Sequence, residues 1–290
     1  MPSRPQALAL ECRRTSDSRH LPCADRLPGV QLTTFRAPGR SDPIAGEVLA
    51  DRAVAFDVGV SVLDVLAGRV VSPARGEDWP LSEVELLAPV PAPGAIYGIG
   101  LNYAAHVAET GREQPTVPIV FVKVRGSVAP PGGPIRCPEI VRRLDYEGEL
   151  TIVIGASGAI GGYCVADDIS ARDLQGREPQ WTRAKGADTF CPYGPWITTA
   201  DEVPAPEDLR LQTWVNGELR QDSRTSDLIF GCQELVDFIS QTCALMPGDL
   251  ILTGTPSGVG MAMDPPRFLS SGDVVRIEIE GLGAIEHAVA

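Results

Sequence analysis

The chain has 290 residues, 43% of them hydrophobic, which suffices for a sizeable core in one large domain or in a small and a medium one. Its 25 basic and 38 acidic residues leave a formal charge of -13, and no Lys/Arg cluster or basic-aromatic stripe is present to track phosphates, which argues against a nucleic-acid partner. No apolar run approaches the roughly 18 to 20 residues that cross a bilayer, and the N-terminal stretch lacks the apolar core of a secretory signal, so a cytoplasmic protein without membrane attachment is expected.

Residues 1–29 are rich in Arg, Pro and Ser and show no consistent period, which predicts a disordered leader, with ordered sequence beginning near Val30. The stretches 30–35, 46–49 and 53–57 read as short strands between Pro, Gly and Asp turns, and 60–67 carries apolar residues at helical spacing. Pro89, Pro91 and Pro93 then break the chain, placing a boundary near residue 90. A small β-rich N-terminal domain is therefore predicted over 30–90 and the main domain over 91–290. In the latter, strand-like apolar runs recur at 119–123, 149–154, 211–215, 250–253 and 274–279, with one helix at about 231–244. The predicted class is α+β, mainly β.

Residues 145–149 place an acid at every second position and lead straight into the apolar run 150–155. As a strand, this segment puts Asp145, Glu147 and Glu149 on one face. Like charges that close need a cation or protons to offset their repulsion, and a hard divalent metal is the simplest occupant. The alternative is an exposed edge strand with a solvated acidic face. The seven cysteines form no CxxC pair, and the three histidines, His20, His106 and His287, are widely separated. Disulfides, thiolate zinc sites and His-rich sites are thus not expected, and oxygen ligands remain.

His106 and Glu109 are three residues apart and fall on adjacent turns if their segment is helical. A carboxylate so placed orients the imidazole and raises its basicity, as a general base requires; the alternative is a surface helix with an incidental pair. The polar stretch 110–115 that follows suits a segment closing over a substrate. The glycines of 253–260 suggest a phosphate loop, but no GK[ST] follows and no helix pattern opens there, which argues against a nucleotide site.

Five segments concentrate such residues: Gly98-Ile99-Gly100-Leu101-Asn102-Tyr103, Asp145-Tyr146-Glu147-Gly148-Glu149-Leu150, Asp167-Asp168-Ile169-Ser170-Ala171-Arg172-Asp173, Asp188-Thr189-Phe190-Cys191-Pro192-Tyr193-Gly194-Pro195-Trp196 and Thr253-Gly254-Thr255-Pro256-Ser257-Gly258-Val259-Gly260. In this order, and over about residues 95–290, the chain resembles the fumarylacetoacetate hydrolase family. The resemblance implies a mixed β-roll catalytic domain behind a small N-terminal domain, a homodimer, and Mg²⁺ or Mn²⁺ held by Glu147, Glu149 and Asp168. Mg²⁺ prefers six oxygens and keeps several positions for water and substrate, which three carboxylates would leave open. Their charge would outweigh the ion's, so cations are needed beside an anionic substrate, and Arg172 and Lys185 are the candidates.

The resemblance further implies that His106 and Glu109 sit on a mobile lid and activate water, that Lys185 lies near a developing enolate, and that Thr255 contacts a substrate carboxylate. Arg172 and Gln175, at i and i+3, could reach one carboxylate or enolate oxygen from the same side. Asp167 reads as a neighbouring structural acid and Asp173 as a helix-start or loop hydrogen bonder. Two places depart from the family pattern. Val124 follows Lys123 where Pro is usual, so no role is carried to Lys123, and Ala184-Lys185-Gly186-Ala187 lacks the usual hydroxyl beside Lys185.

The expected reaction is metal-dependent hydrolysis of a C–C bond in a small 2,4-dioxo acid of the acylpyruvate type, through an enolate. Decarboxylation of an oxaloacetate-like acid, or isomerisation and decarboxylation of 2-hydroxymuconate-type diacids, would use the same electron sink. A reading from another class is a protein that binds a metal and a dicarboxylate without turnover. Retention of the full charged set argues against that, since buried like charges are costly without a task.

Overall fold

A computed structural model describes residues 30–70 and 76–290; the leader expected at 1–29 lies outside the described residues. The predicted mainly β class is what the structure has. Ten strands follow one another in the main mixed sheet, starting with the N-terminal Asp78–Pro80, Arg52–Ala55, Ile44–Leu49 and Gln31–Arg36. The order continues through Cys191–Thr199, Ile160–Asp167, Gly148–Ile154, Leu250–Leu252, Ile96–Gly100 and Ile119–Lys123. Gln31–Arg36 pairs antiparallel with Cys191–Thr199, Gln31 opposite Thr198, so hydrogen bonding runs unbroken from the N-terminal strands into the rest of the sheet.

Gly148–Ile154 is buried at every position, which explains its continuous apolar run: both faces of this central strand are covered. One cover is a four-stranded antiparallel sheet of Glu218–Arg224, Arg210–Val215, Val274–Ile279 and Gly283–Ala288. Its Leu211, Val275, Ile277 and Ile285 share a core with Leu150, Ile152 and Val165. The helix Cys232–Ser240 adds Cys232, Leu235, Val236 and Ile239, a one-sided stripe at helical spacing. In the N-terminal region the short helix Val62–Leu66 begins at a capping box. The Ser61 hydroxyl accepts from Asp64 N–H at 3.2 Å, and the Asp64 carboxylate accepts from Ser61 N–H at 3.0 Å.

Among the strands not anticipated, the longest are Ile160–Asp167, Cys191–Thr199, Glu218–Arg224 and Gly283–Ala288. In Cys191–Thr199, Pro192, Gly194 and Pro195 erase the strand pattern. The strand nevertheless pairs, parallel to Val128–Ala129 at Cys191 and Pro192 and then antiparallel to Ile160–Asp167 across a register shift. Glu218–Arg224 is polar because it is the outer strand of its sheet and mostly faces solvent. Among the described residues no helix is long and apolar enough to cross a membrane.

Candidate active site

Gly148 lies opposite Asp167 where the central strand begins and its antiparallel neighbour ends. That register brings the acids at the two strand ends together. Carboxylate oxygens of Glu147, Glu149 and Asp168 lie within 4.8 Å of one another, and all three residues are buried.

Asp145 does not join them, which corrects the expectation of three acids on one strand face. The strand is interrupted at Tyr146 and Glu147. Leu144–Asp145 pairs instead with Ser170–Ala171, while Gly148–Ile154 belongs to the main sheet. Asp145 turns away to accept from Gly260 N–H at 2.8 Å, Met261 N–H at 3.0 Å and Arg172 Nε at 2.8 Å.

Three buried cations offset the acids. Lys185 Nζ lies 2.6 Å from Glu147 Oε2 and 2.7 Å from Asp168 Oδ2. Arg172 bridges Asp145 and Glu147, its Nη1 2.6 Å from Glu147 Oε1 and 3.0 Å from Gln175 Oε1. Lys123, to which the sequence pattern assigned no role, is buried with its ammonium on Asp168 and on the Lys185 carbonyl. Glu149 is the member of the three without a cation in contact; it accepts the Gly254 N–H at 2.7 Å.

The titration of these groups follows from that difference. Burial alone would raise the Glu147 carboxyl, but Lys185 and Arg172 outweigh it and hold Glu147 well below the usual carboxylate range. Burial raises Glu149 well above that range, and repulsion from Asp168 and Glu147 adds to it. A buried, all-oxygen donor set with one carboxylate lacking a counter-charge fits a hard divalent cation.

His106 and Glu109 lie on the helix Ala104–Glu109, and the i, i+3 geometry read from the sequence is realised: His106 Nδ1 is 2.7 Å from Glu109 Oε1. Both residues line a cavity of about 470 Å³ together with Glu147, Arg172, Gln175, Lys185 and Thr255; the rings of Phe121 and Trp181, at a centroid distance of 5.4 Å, form part of its wall. A larger cavity, about 800 Å³, lies against the N-terminal strands beside Phe56, Trp79 and Val90 and contains none of these groups.

Thr255 reaches the cavity with its hydroxyl already engaged. It accepts from Gln221 Nε2 at 2.8 Å and lies 3.1 Å from the Gly148 carbonyl, to which it donates. Gln221, fully buried, also donates to Pro256 O at 2.9 Å and accepts Gly148 N–H at 3.0 Å, so it ties the 255–256 turn to the start of the central strand. No local pattern marks Gln221 in the sequence. Asp173 accepts the Arg142 N–H at 3.0 Å, and Asp167 accepts the Glu147 N–H at 2.8 Å.

A mainly β fold that gathers a His–Glu pair, buried carboxylates and buried cations at one cavity defines an enzyme acting on small molecules. Residues 95–290 match the fumarylacetoacetate (FAA) hydrolase C-terminal family, and the chain belongs to that family. It is 43% identical over 225 residues to oxaloacetate tautomerase YisK of Bacillus subtilis, covering 73% of this chain and 75% of that protein. The structure is similar to that of 2-hydroxyhepta-2,4-diene-1,7-dioate isomerase from Mycobacterium marinum, with a TM-score of 0.75, 36% identity and coverage of 90% and 98% of the two chains. It is likewise similar to fumarylacetoacetate hydrolase from Exiguobacterium antarcticum, with a TM-score of 0.79, 34% identity and coverage of 90% and 99%.

Proposed function

We propose that the protein interconverts the keto and enol forms of a small 2-oxo dicarboxylate, with oxaloacetate the first substrate to test. One observation carries this reading: the His106–Glu109 pair opens onto the same cavity as Arg172 and Lys185, so a base and anion-holding cations face one ligand. The oxaloacetate tautomerase relative supports it.

Glu147, Glu149 and Asp168 would hold a divalent cation, Mg²⁺ or Mn²⁺ on this all-oxygen donor set, which would supply Lewis acidity. The chain's own groups do the rest. Arg172, whose Nη2 is buried and has no hydrogen-bond partner among the described residues, and Gln175 hold a substrate carboxylate. Glu109 accepts a hydrogen bond from His106 Nδ1–H, which leaves Nε2 as the basic nitrogen. His106 takes a proton from C3, the electron pair moves into the C2–O unit, and the Lys185 ammonium offsets the charge developing on oxygen. Return of that proton from His106 to the oxygen gives the enol, and the reverse sequence restores the ketone. Phe121 and Trp181 limit the access of water.

Acylpyruvate hydrolysis, the reaction expected from the sequence, is the second reading. The same pair favours it, since His106 can equally take a proton from water. The hydroxide formed adds to the 4-carbonyl, the C3–C4 bond breaks, and a carboxylic acid and the enolate of pyruvate leave; the enolate then takes up a proton. We include a homodimer in either reading, as the family resemblance implies, and light scattering on the eluting protein tests it.

The deciding experiment follows the ultraviolet absorbance of enol-oxaloacetate with Mg²⁺-loaded and chelator-treated protein, beside a proton NMR time course with acetylpyruvate. Protein-dependent decay of the enol beyond the rate in Mg²⁺ alone is the expected result. Release of acetate and pyruvate without enol decay would transfer the assignment to hydrolysis, and turnover in neither assay would remove both.

A further inference from the structure

Among the buried titratable side chains that take no part in the chemistry above, His287 is hydrogen-bonded to Asp167, the neighbour of the Asp168 carboxylate. His287 lies on Gly283–Ala288, in the four-stranded sheet, with its side chain fully buried. Its Nε2 is 2.9 Å from Asp167 Oδ2, and since a carboxylate only accepts, the imidazole donates. Asp167 uses its other oxygen to accept the Glu147 N–H at 2.8 Å. On its carbonyl side, Glu147 accepts the Asp168 N–H at 2.9 Å.

Glu147 needs such support. It falls between the strands Leu144–Asp145 and Gly148–Ile154 and belongs to neither, so its N–H finds a side chain where a residue inside a strand finds a ladder partner. Its carboxylate meets the Lys185 and Arg172 cations as well as the Glu149 and Asp168 acids, and only a fixed peptide lets it keep all four in reach. The second ring nitrogen of His287, Nδ1, is buried with no partner among the described residues. An orphaned polar atom in a core costs free energy that an apolar side chain would not, so packing alone does not account for a histidine here.

We infer that His287 is a positioning residue for the carboxylate site: through Asp167 it fixes the Glu147 peptide and so keeps the Glu147 carboxylate within ligand distance of Glu149 and Asp168. The inference rests on the metal reading given under Proposed function. It separates from a purely structural role because an ordinary core pair would affect melting and leave the ion affinity of the folded protein untouched.

The test is a calorimetric titration of the metal-free, full-length protein with Mn²⁺, comparing the parent with His287→Leu and His287→Gln, each checked for folding by circular dichroism. The amide nitrogen of the His287→Gln variant reaches the position of Nε2 and keeps the donor to Asp167; the His287→Leu variant fills the space without it. Outer-sphere partners of ligands typically govern 10- to 100-fold in affinity, so His287→Leu should weaken Mn²⁺ binding by about that factor, while His287→Gln stays within about threefold of the parent. Parental affinity in His287→Leu, or equal weakening in both variants, overturns the inference. If His287→Leu does not fold, His287→Asn takes its place under the same criteria, since its amide is too short to reach Asp167. A parent that binds no Mn²⁺ overturns the metal reading itself, and this inference with it.

Discussion

Glu109 holds His106 Nδ1 at 2.7 Å through one carboxylate oxygen and accepts the Gly258 N–H at 3.0 Å through the other, so the group that orients the imidazole is itself tied to the loop following Thr255. Removing the base and removing its orienter should therefore differ in degree. His106→Ala is expected to lower kcat by about 10²- to 10⁴-fold, the usual range for a general base, and Glu109→Gln by less. Mn²⁺ affinity should stay unchanged in both. Full turnover in His106→Ala, measured in the enol-decay assay, would remove this residue from the mechanism.

Gly258 is the weak point of that tie. Its φ is +98° and an added Cβ would lie 2.0 Å from the Arg220 carbonyl oxygen, so no other residue fits without moving the loop. Gly258→Ala should pull the N–H away from Glu109 and reproduce the kinetic loss of Glu109→Gln. The two variants and their double combination, compared by kcat, check this: losses that multiply independently would show that the Gly258 contact does not act through Glu109.

Lys185 is buried between Glu147 and Asp168, and its loss leaves both carboxylates short of a counter-charge. Breaking a buried ion pair from one side typically costs about 3 to 5 kcal/mol, and Lys185→Met should destabilise the metal-free protein by about that amount. Added Mg²⁺ should restore part of it by supplying positive charge to the same oxygens. Urea midpoints with and without Mg²⁺ give the answer; an unchanged midpoint in the metal-free protein would show that the ammonium does not balance these acids.

Glu149→Gln should behave in the opposite sense. The amide oxygen can still accept the Gly254 N–H, while the substitution removes a buried carboxyl whose ionised form burial and the Asp168 and Glu147 charges disfavour. The metal-free variant should be at least as stable as the parent, and its Mn²⁺ binding should be weaker by at least about tenfold because one anionic ligand is gone. A destabilised variant with parental Mn²⁺ affinity would contradict both halves of this account.

Burial pushes the Cys191 and Cys232 thiols up to about 12 and raises Cys164 well above the ordinary range; it raises Cys137 as well, but Cys137 is exposed. A raised thiol pKa means that the neutral form persists as pH rises, and alkylation needs the thiolate. Iodoacetamide at pH 8 should therefore modify Cys137 in the folded protein and spare Cys164, Cys191 and Cys232, and the pattern should persist at pH 9. Peptide mapping by mass spectrometry reads it out, with modification of Cys191 at the rate of Cys137 as the contrary result.

The parts of the site that were legible in the sequence are those set by short-range geometry. His106 and Glu109 are three apart, so helical pitch places them together, and Glu147 and Glu149 are two apart, so strand alternation puts them on one side although Glu147 lies just before the strand Gly148–Ile154. The same alternation misplaced Asp145, because it presumes an unbroken strand, and only the change of pairing partner at Tyr146 and Glu147 reveals that the chain turns there. The sequence assigns Lys123 no role because Val124 follows it where the family has Pro, yet its buried ammonium reaches Asp168 through pairing of Ile119–Lys123 with Ile96–Gly100.

The sequence by itself determined the atom types available for catalysis, carboxylate oxygens with three separated imidazoles and seven thiols in no CxxC pair, and it determined the mainly β class through its short apolar runs. Tertiary structure alone decided which of those atoms meet. Gln221 meets Gly148 across 73 positions of chain and His287 meets Asp167 across 120, in polar or unpatterned surroundings. Periodicity reports which face of an element a side chain occupies. The partner across that face depends on strand register and sheet packing, and these are settled only when the whole chain buries its apolar surface at once.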